Sequence, residues 1–173
     1  GWFAERDAES MVEMAETFRR WRTSTRGQYT TAGVEEPFEF DVAGDVRVRG
    51  RIDRLEATEA GQVIPVDIKT GKAAVTQAEA VVHPQLALYQ LAVARGSVAS
   101  AADRGPGGGL LLYLAGREGK PPTQRTQDPL GPESIDELTE EEQAMIRRQE
   151  RREMAEIFYG RNMEPGQDIG ISL

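Results

Sequence analysis

Large apolar side chains recur with helical spacing near the start of the chain. The stripe consists of Met11, Met14, Phe18 and Trp21, at intervals of three, four and three residues. This spacing puts them on one face of a helix, so we predict a helix over residues 5–22 whose stripe packs against a core. Residues 23–33 are polar and rich in turn-forming side chains, which predicts a loop.

Three segments that follow are rich in β-branched and aromatic residues. They are 34–42 (VEEPFEFDV), 46–57 (VRVRGRIDRLEA) and 63–69 (VIPVDIK). This composition predicts three strands. A turn at 43–45 and a short loop after residue 57 join them, so we expect an antiparallel meander.

A second helix is predicted over 84–95, because proline is favoured at the first helical position and Gly96 suits the exit. Its expected buried stripe is Val82, Leu86, Tyr89 and Val93. Residues 96–108 are mostly Gly, Ala, Ser and Pro, which predicts a surface connector. Residues 110–115 (LLLYLA) are apolar on both faces and predict a buried strand.

Two elements are expected at the end of the chain, a short edge strand at 123–127 and a peripheral helix at 140–159 that begins with a Thr-x-x-Glu capping box. The order is then α-β-β-β-α-β plus a peripheral helix, a mixed α/β fold. We expect one domain over 1–173 with its core at 5–115. The chain begins Gly-Trp-Phe, so we expect a fragment of a longer protein.

Composition narrows the classes of function. With 39% hydrophobic and 29% charged residues the chain is typical of a globular protein. Its 21 basic and 29 acidic residues give a net charge of −8, which argues against a bulk polyanion binder. It has no cysteine, which excludes disulfides, thiol catalysis and a protein-ligated iron–sulfur cluster in this fragment. No apolar run approaches the ~20 residues that span a bilayer, so we expect no membrane partner and a cytoplasmic location.

Two carboxylates and a lysine are the candidate chemistry. Side chains alternate along a strand, so Asp67 and Lys69 share one face. If Ala57 pairs with Val63, Asp53 lies opposite Asp67 with Cβ atoms ~4.5–5.5 Å apart. Such carboxylates repel unless a hard cation such as Mg²⁺ or Mn²⁺ lies between them. Lys69 would then orient a water or neutralise phosphate charge. The alternative is a set of solvated charges at strand ends.

Gln85 and Tyr89 are one turn apart on the second helix, in a Q-x-x-x-Y pattern. They are placed to reach back toward the strand ends. Taken singly, Tyr89 is more typical of a core and Gln85 of a surface.

The segments GRIDRLE, VIPVDIKTGK and HPQLALYQLAV, in this order and spacing, resemble the RecB-type nuclease motifs of the PD-(D/E)XK superfamily. The similarity covers about residues 34–95, and the order of the predicted elements extends it to about residue 115. Within the superfamily, the segments most resemble the nuclease domain of actinobacterial AdnAB-like helicase–nucleases. It implies a restriction-endonuclease-like core in which helices flank a mixed central sheet.

The resemblance also implies roles for individual residues. Asp53, Asp67 and the backbone carbonyl of Ile68 would bind Mg²⁺ or Mn²⁺, and Lys69 would be the catalytic lysine. Gln85 and Tyr89 match the motif that supports the site and the DNA strand. Glu35 matches an acidic position on the first core strand, with Glu36 or Glu39 as the alternatives.

Two features depart from the family pattern. RecB-type nucleases usually carry a metal-binding histidine in an upstream helix, whereas the only histidine here, His83, belongs to the HPQ segment. We interpret His83 as a residue at the helix start rather than a ligand. The cysteines that bind an iron–sulfur cluster in many relatives are absent.

The implied function is a metal-dependent exonuclease that hydrolyses phosphodiester bonds in DNA, as single strands or duplex ends, during end processing and double-strand-break repair. No P-loop motif is present, so a helicase motor would belong to the same parent chain or to a partner subunit. The alternative is an inactive nuclease-like domain that serves DNA binding or subunit contact.

Arginines along the second predicted strand are candidates for a basic strip that approaches phosphates: Arg47, Arg49, Arg51 and Arg54. We include Arg51 among the substrate-binding candidates. For most of them, pairing with surface glutamates is the favoured interpretation.

Overall fold

A computed structural model describes residues 2–42, 46–116 and 119–131, together with residues 144, 145, 147, 148 and 151. By its contacts the chain divides into two compact units, Gly1–Glu137 and Leu138–Leu173. In the second unit the five described residues are helical. The predicted helix at 140–159 otherwise lies outside the described residues, and so does the turn at 43–45. The single-domain organisation stays a prediction.

The first unit is a mixed sheet with flanking helices. Its elements are α1 (Trp2–Thr25), β1 (Tyr29–Val42), β2 (Val46–Thr58), β3 (Val63–Lys69), α2 (Gln77–Val81), α3 (Pro84–Ala94), the 3₁₀ turn η1 (Ala99–Ala101), β4 (Gly109–Tyr113) and β5 (Thr123–Gln127). The five strands lie in the order β1-β2-β3-β4-β5. Only β3 and β4 pair in parallel; the other neighbours are antiparallel. The predicted α/β class is confirmed.

The central strand β3 separates two apolar clusters. Val66 of β3 and Leu112 of β4 pack with Trp21 of α1 on one face. On the other face Leu111 of β4 packs with Leu86 of α3. Because side chains alternate along a strand, the odd-numbered residues at the end of β3 face α3. The parallel pairing of β3 with β4 requires a crossover, which α2 and α3 provide.

The predicted register between β2 and β3 is confirmed as far as Arg54 opposite Val66, whereas the expected pair of Asp53 opposite Asp67 is not part of the ladder. Ala57 pairs with Val63, and the pairing continues to Arg54 opposite Val66. Asp53 comes one residue beyond this last pair, where the two strands separate.

The loop predicted over 23–33 is wrong, because β1 begins at Tyr29. Tyr29 pairs with Thr58 at the far end of β2, and its ring packs against the Trp21 cluster. These contacts are distant in sequence and outweigh the turn-like local composition.

Two predicted core positions are also wrong. Met11 is 67% exposed, since the stripe of α1 enters the core only from Met14 onward. Val82 is 67% exposed as well, because it ends α2 and precedes the first turn of α3. In the part of the chain that the structure describes, no helix is long and apolar enough to cross a bilayer.

Candidate active site

Asp67 and Lys69 lie at the carboxyl end of β3, on the face that α3 covers. Val66 and Ile68 are committed to the α1 face of the sheet, so the intervening acid and base point the opposite way. Asp67 is 4% exposed. A buried carboxylate is costly unless polar or charged groups surround it, and the neighbouring residues supply such groups.

The Asp53 carboxylate bridges the point where β2 and β3 separate. Its Oδ2 accepts a hydrogen bond from the backbone N–H of Ile68 at 2.7 Å. Burial raises the pKa of Asp53, and the negative charges of Asp67 and Glu35 act in the same direction, while the Ile68 N–H and the Lys69 charge oppose them. Asp53 and Asp67 are thus close enough to interact electrostatically, as the predicted register requires.

Lys69 forms an ion pair with Asp67, its neighbour on the same face of β3. The Lys69 Nζ lies 2.7 Å from Asp67 Oδ2. That oxygen is buried and accepts no hydrogen bond of ordinary angle within the described residues, so the ammonium charge is its main compensation. The Lys69 Nζ also donates to Gln85 Oε1 at 3.0 Å.

Two residues of α3 complete a closed ring with this pair. Gln85 Nε2 donates to the Tyr89 hydroxyl at 2.8 Å, and that hydroxyl donates to Asp67 Oδ1 at 3.5 Å. Burial, followed by the charge of Asp67, raises the pKa of Tyr89, so it is a neutral donor at physiological pH. The structure therefore brings together four of the predicted site residues. We call them the β3–α3 ring: Asp67, Lys69, Gln85 and Tyr89.

His83 is the N-cap of α3, as predicted for a residue at the helix start, although its side chain makes no capping hydrogen bond. Its Nδ1 is buried and lacks a hydrogen-bond partner in the described part of the chain. Burial lowers the pKa of His83, and the positive charge of Lys69 lowers it further. The imidazole thus lies within electrostatic range of the site, which its place two residues before Gln85 could have signalled.

Of the three acidic candidates on β1, only Glu35 acts on Asp53 through its charge. It has a positive φ of 54°, a conformation that is uncommon outside glycine. The Glu36 carboxylate lies against Gly33, and Glu39 pairs with Arg47. Glu35 itself is exposed and forms an ion pair with Arg51 at 3.2 Å, so Arg51 lies beside the site without joining the ring.

The other arginines of β2 do not form an open basic strip. Arg47 pairs with Glu39 and with Asp41. Arg54 is buried and pairs with Glu56, which the sequence did not predict.

A divalent cation fits the donor chemistry of this site, although its ligands would be few. Asp53 and Asp67 offer carboxylate oxygens, which Mg²⁺ and Mn²⁺ prefer, and Asp67 Oδ2 already has a cation as its partner. Within the described residues no group of three or more His, Cys, Asp or Glu side chains could hold a metal. The backbone carbonyl of Ile68 and water would have to complete the coordination.

The comparison with known families covers nearly the whole chain. The sequence pattern of the PD-(D/E)XK nuclease superfamily matches residues 1–168. No curated protein matches the chain significantly.

Proposed function

The chain belongs to the PD-(D/E)XK nuclease superfamily, and from that premise we propose that it is a metal-dependent exonuclease acting on DNA. Membership of a nuclease superfamily makes phosphodiester hydrolysis the expected chemistry and DNA the expected substrate. The observation that carries the proposal is the convergence of Asp53, Asp67 and Lys69 at the end of β3, where Gln85 and Tyr89 of α3 meet them.

Each site residue has a proposed role that its contacts support. Asp53, Asp67 and the Ile68 carbonyl would hold Mg²⁺ or Mn²⁺, because they offer oxygen donors at the junction of β2 and β3. The bound ion would supply Lewis-acid stabilisation of the phosphate and lower the pKa of a bound water. Lys69 would orient that water or neutralise charge on the phosphate as one backbone P–O bond breaks.

The surrounding residues are proposed to hold this arrangement in place. Gln85 and Tyr89 fix Lys69 and Asp67 through the hydrogen bonds of the ring. Glu35 and Arg51 form an ion pair beside Asp53. Both side chains are exposed, so a DNA strand could contact this pair.

The cellular role is proposed from the RecB-type resemblance. Processing of DNA ends in double-strand-break repair and recombination would require a helicase motor in the same parent chain or in a partner subunit, in the cytoplasm. Because the cations of β2 are largely paired with acids, we expect the isolated chain to bind DNA weakly. A gel-shift Kd tighter than about 1 μM at physiological salt would contradict this expectation.

End-labelled DNA cleavage tests the proposed function. Wild-type protein with Mg²⁺ or Mn²⁺ should shorten linear single strands and leave circular ones intact, and a chelator should stop the reaction. Asp67→Ala should abolish cleavage while circular dichroism shows an unchanged fold. Asp103→Ala is the control with the same substitution, because Asp103 is exposed and outside the site. Cleavage by Asp67→Ala at the wild-type rate would overturn the assignment.

One observation favours the alternative of a catalytically inactive domain. No third acidic, histidine or cysteine ligand joins Asp53 and Asp67 within the described residues. In that case the wild-type protein would bind no Mn²⁺ in calorimetry, whereas an active site predicts binding that disappears in Asp53→Ala.

A further inference from the structure

The orientation of every group in the β3–α3 ring follows from the chemistry of Lys69. An ammonium can only donate hydrogen bonds, so the Gln85 amide must present its oxygen to Lys69. The Gln85 NH₂ group then faces the Tyr89 oxygen. The Tyr89 proton is consequently directed to Asp67 Oδ1.

This directionality leaves the two oxygens of Asp67 in different states. Oδ1 is engaged by the Tyr89 hydroxyl. Oδ2 has the Lys69 ammonium as its partner, at 2.7 Å and without hydrogen-bond geometry. Oδ1 therefore has a hydrogen-bond donor from the protein, whereas Oδ2 is a buried binding position for a cation.

Lys69 has a second partner besides Asp67 Oδ2. Its Nζ donates to Gln85 Oε1 at 3.0 Å, and its side chain is 33% exposed, against 6% for Asp67. The flexible stem of a lysine lets the ammonium leave one partner while it keeps the other.

We infer that the Lys69 ammonium occupies the cation-binding position at Asp67 Oδ2 until a divalent cation displaces it. Gln85 is then the positioning residue that retains the displaced ammonium at the site. This inference rests on the proposed function, since it requires Asp67 to bind the metal. The Lys69 ammonium and the divalent cation bind the same oxygen of Asp67, so metal binding and the Lys69–Asp67 ion pair compete.

Mn²⁺ affinity, measured by calorimetry on the full chain without DNA, separates this exchange from simple charge repulsion. Lys69→Met should tighten Mn²⁺ binding, although the removal of any nearby positive charge would do the same. Gln85→Met is the informative change, because it keeps the side-chain length but removes the acceptor that retains Lys69. It should weaken Mn²⁺ binding about tenfold, since the ammonium then has only Asp67 as a partner.

The decisive comparison is Gln85→Met in the Lys69→Met background. With no ammonium to retain, Gln85→Met should lower Mn²⁺ affinity far less there than in the wild-type background, and any remaining loss reports the hydrogen bond that Gln85 donates to Tyr89. Gln85→Ala should give the same pattern, and Gln28→Met, at an exposed glutamine outside the site, should have no effect in either background.

The possible failures are distinguishable. An equal loss of affinity from Gln85→Met in both backgrounds would overturn the exchange and leave the metal site standing. No effect of Gln85→Met or Gln85→Ala in either background would also overturn it. Absence of Mn²⁺ binding by the wild-type protein would overturn the proposed function together with this inference.

Discussion

The Asp53 carboxylate accepts a hydrogen bond from the backbone N–H of Ile68 at 2.7 Å. It thereby replaces a backbone contact at the point where the pairing of β2 with β3 ends at Arg54 and Val66. The same side chain has a raised pKa because it is partly buried. A residue proposed as a metal ligand therefore also holds two strands together.

This double role predicts a separation of stability from activity at Asp53. Asp53→Asn keeps an acceptor for the Ile68 N–H, whereas Asp53→Ala leaves that donor unsatisfied. We expect the unfolding free energy of the alanine variant to be about 1 kcal/mol lower than that of the asparagine variant, while both variants lose DNA cleavage. Urea denaturation at pH 7 measures the difference. Equal stabilities for the two variants would show that the hydrogen bond contributes nothing.

His83 offers a pH-dependent probe of the site, because it is the only histidine in the chain. Its pKa is lowered from 6.5 by burial and by the charge of Lys69. Proton NMR of the imidazole should therefore give a midpoint below 6.5, and Lys69→Met should raise it. If Lys69→Met leaves the midpoint unchanged, the Lys69 ammonium lies outside the electrostatic range of the His83 imidazole.

The same shift has a defined sign in stability. A lowered histidine pKa means that the unfolded chain binds the proton more readily than the folded one. The contribution of His83 to stability should be fully present above pH 6.5 and lost as the pH falls from there through the folded-state pKa. The difference in unfolding free energy between wild type and His83→Gln, followed by denaturation across this interval, should shrink as the pH falls. A constant difference would contradict the expected shift.

A buried charge cluster on β2 should be important for stability. Glu56 is 1% exposed and pairs with both Arg22 and Arg54. Glu56→Ala leaves the buried Arg54 without its carboxylate, which should cost about 3–5 kcal/mol of unfolding free energy. Glu39→Ala is the control, since it removes an exposed pair with Arg47 worth at most about 1 kcal/mol. Similar losses in chemical denaturation of the two variants would contradict this contrast.

The candidate site could be predicted from the sequence because its geometry follows from local rules. The alternation along β3 puts Asp67 and Lys69 on one face, and the short loop after Thr58 fixes the register that brings Asp53 near them. The helical spacing of Gln85 and Tyr89 then gives them a common direction. Each of these relations spans few residues, so composition and periodicity determine it.

The features that the sequence did not predict depend on distant or compensated partners. The start of β1 at Tyr29 depends on pairing with Thr58. The burial of Arg54 depends on Glu56, and charged residues on a strand ordinarily indicate a surface. In contrast α2 was missed although its signal was local, since Thr76 and Glu79 form a complete capping box.

The central claim is that Asp53 and Asp67 act as one unit in Mg²⁺-dependent DNA cleavage. Single-turnover cleavage of an end-labelled single strand should be measured for the wild type, Asp53→Asn, Asp67→Asn and the double variant. Each single change should lower the rate roughly 1,000-fold or more, and the double variant should be no slower than either single one, because residues that act as a unit are strongly non-additive. Wild-type cleavage by either single variant, or losses that multiply in the double variant, would contradict the claim.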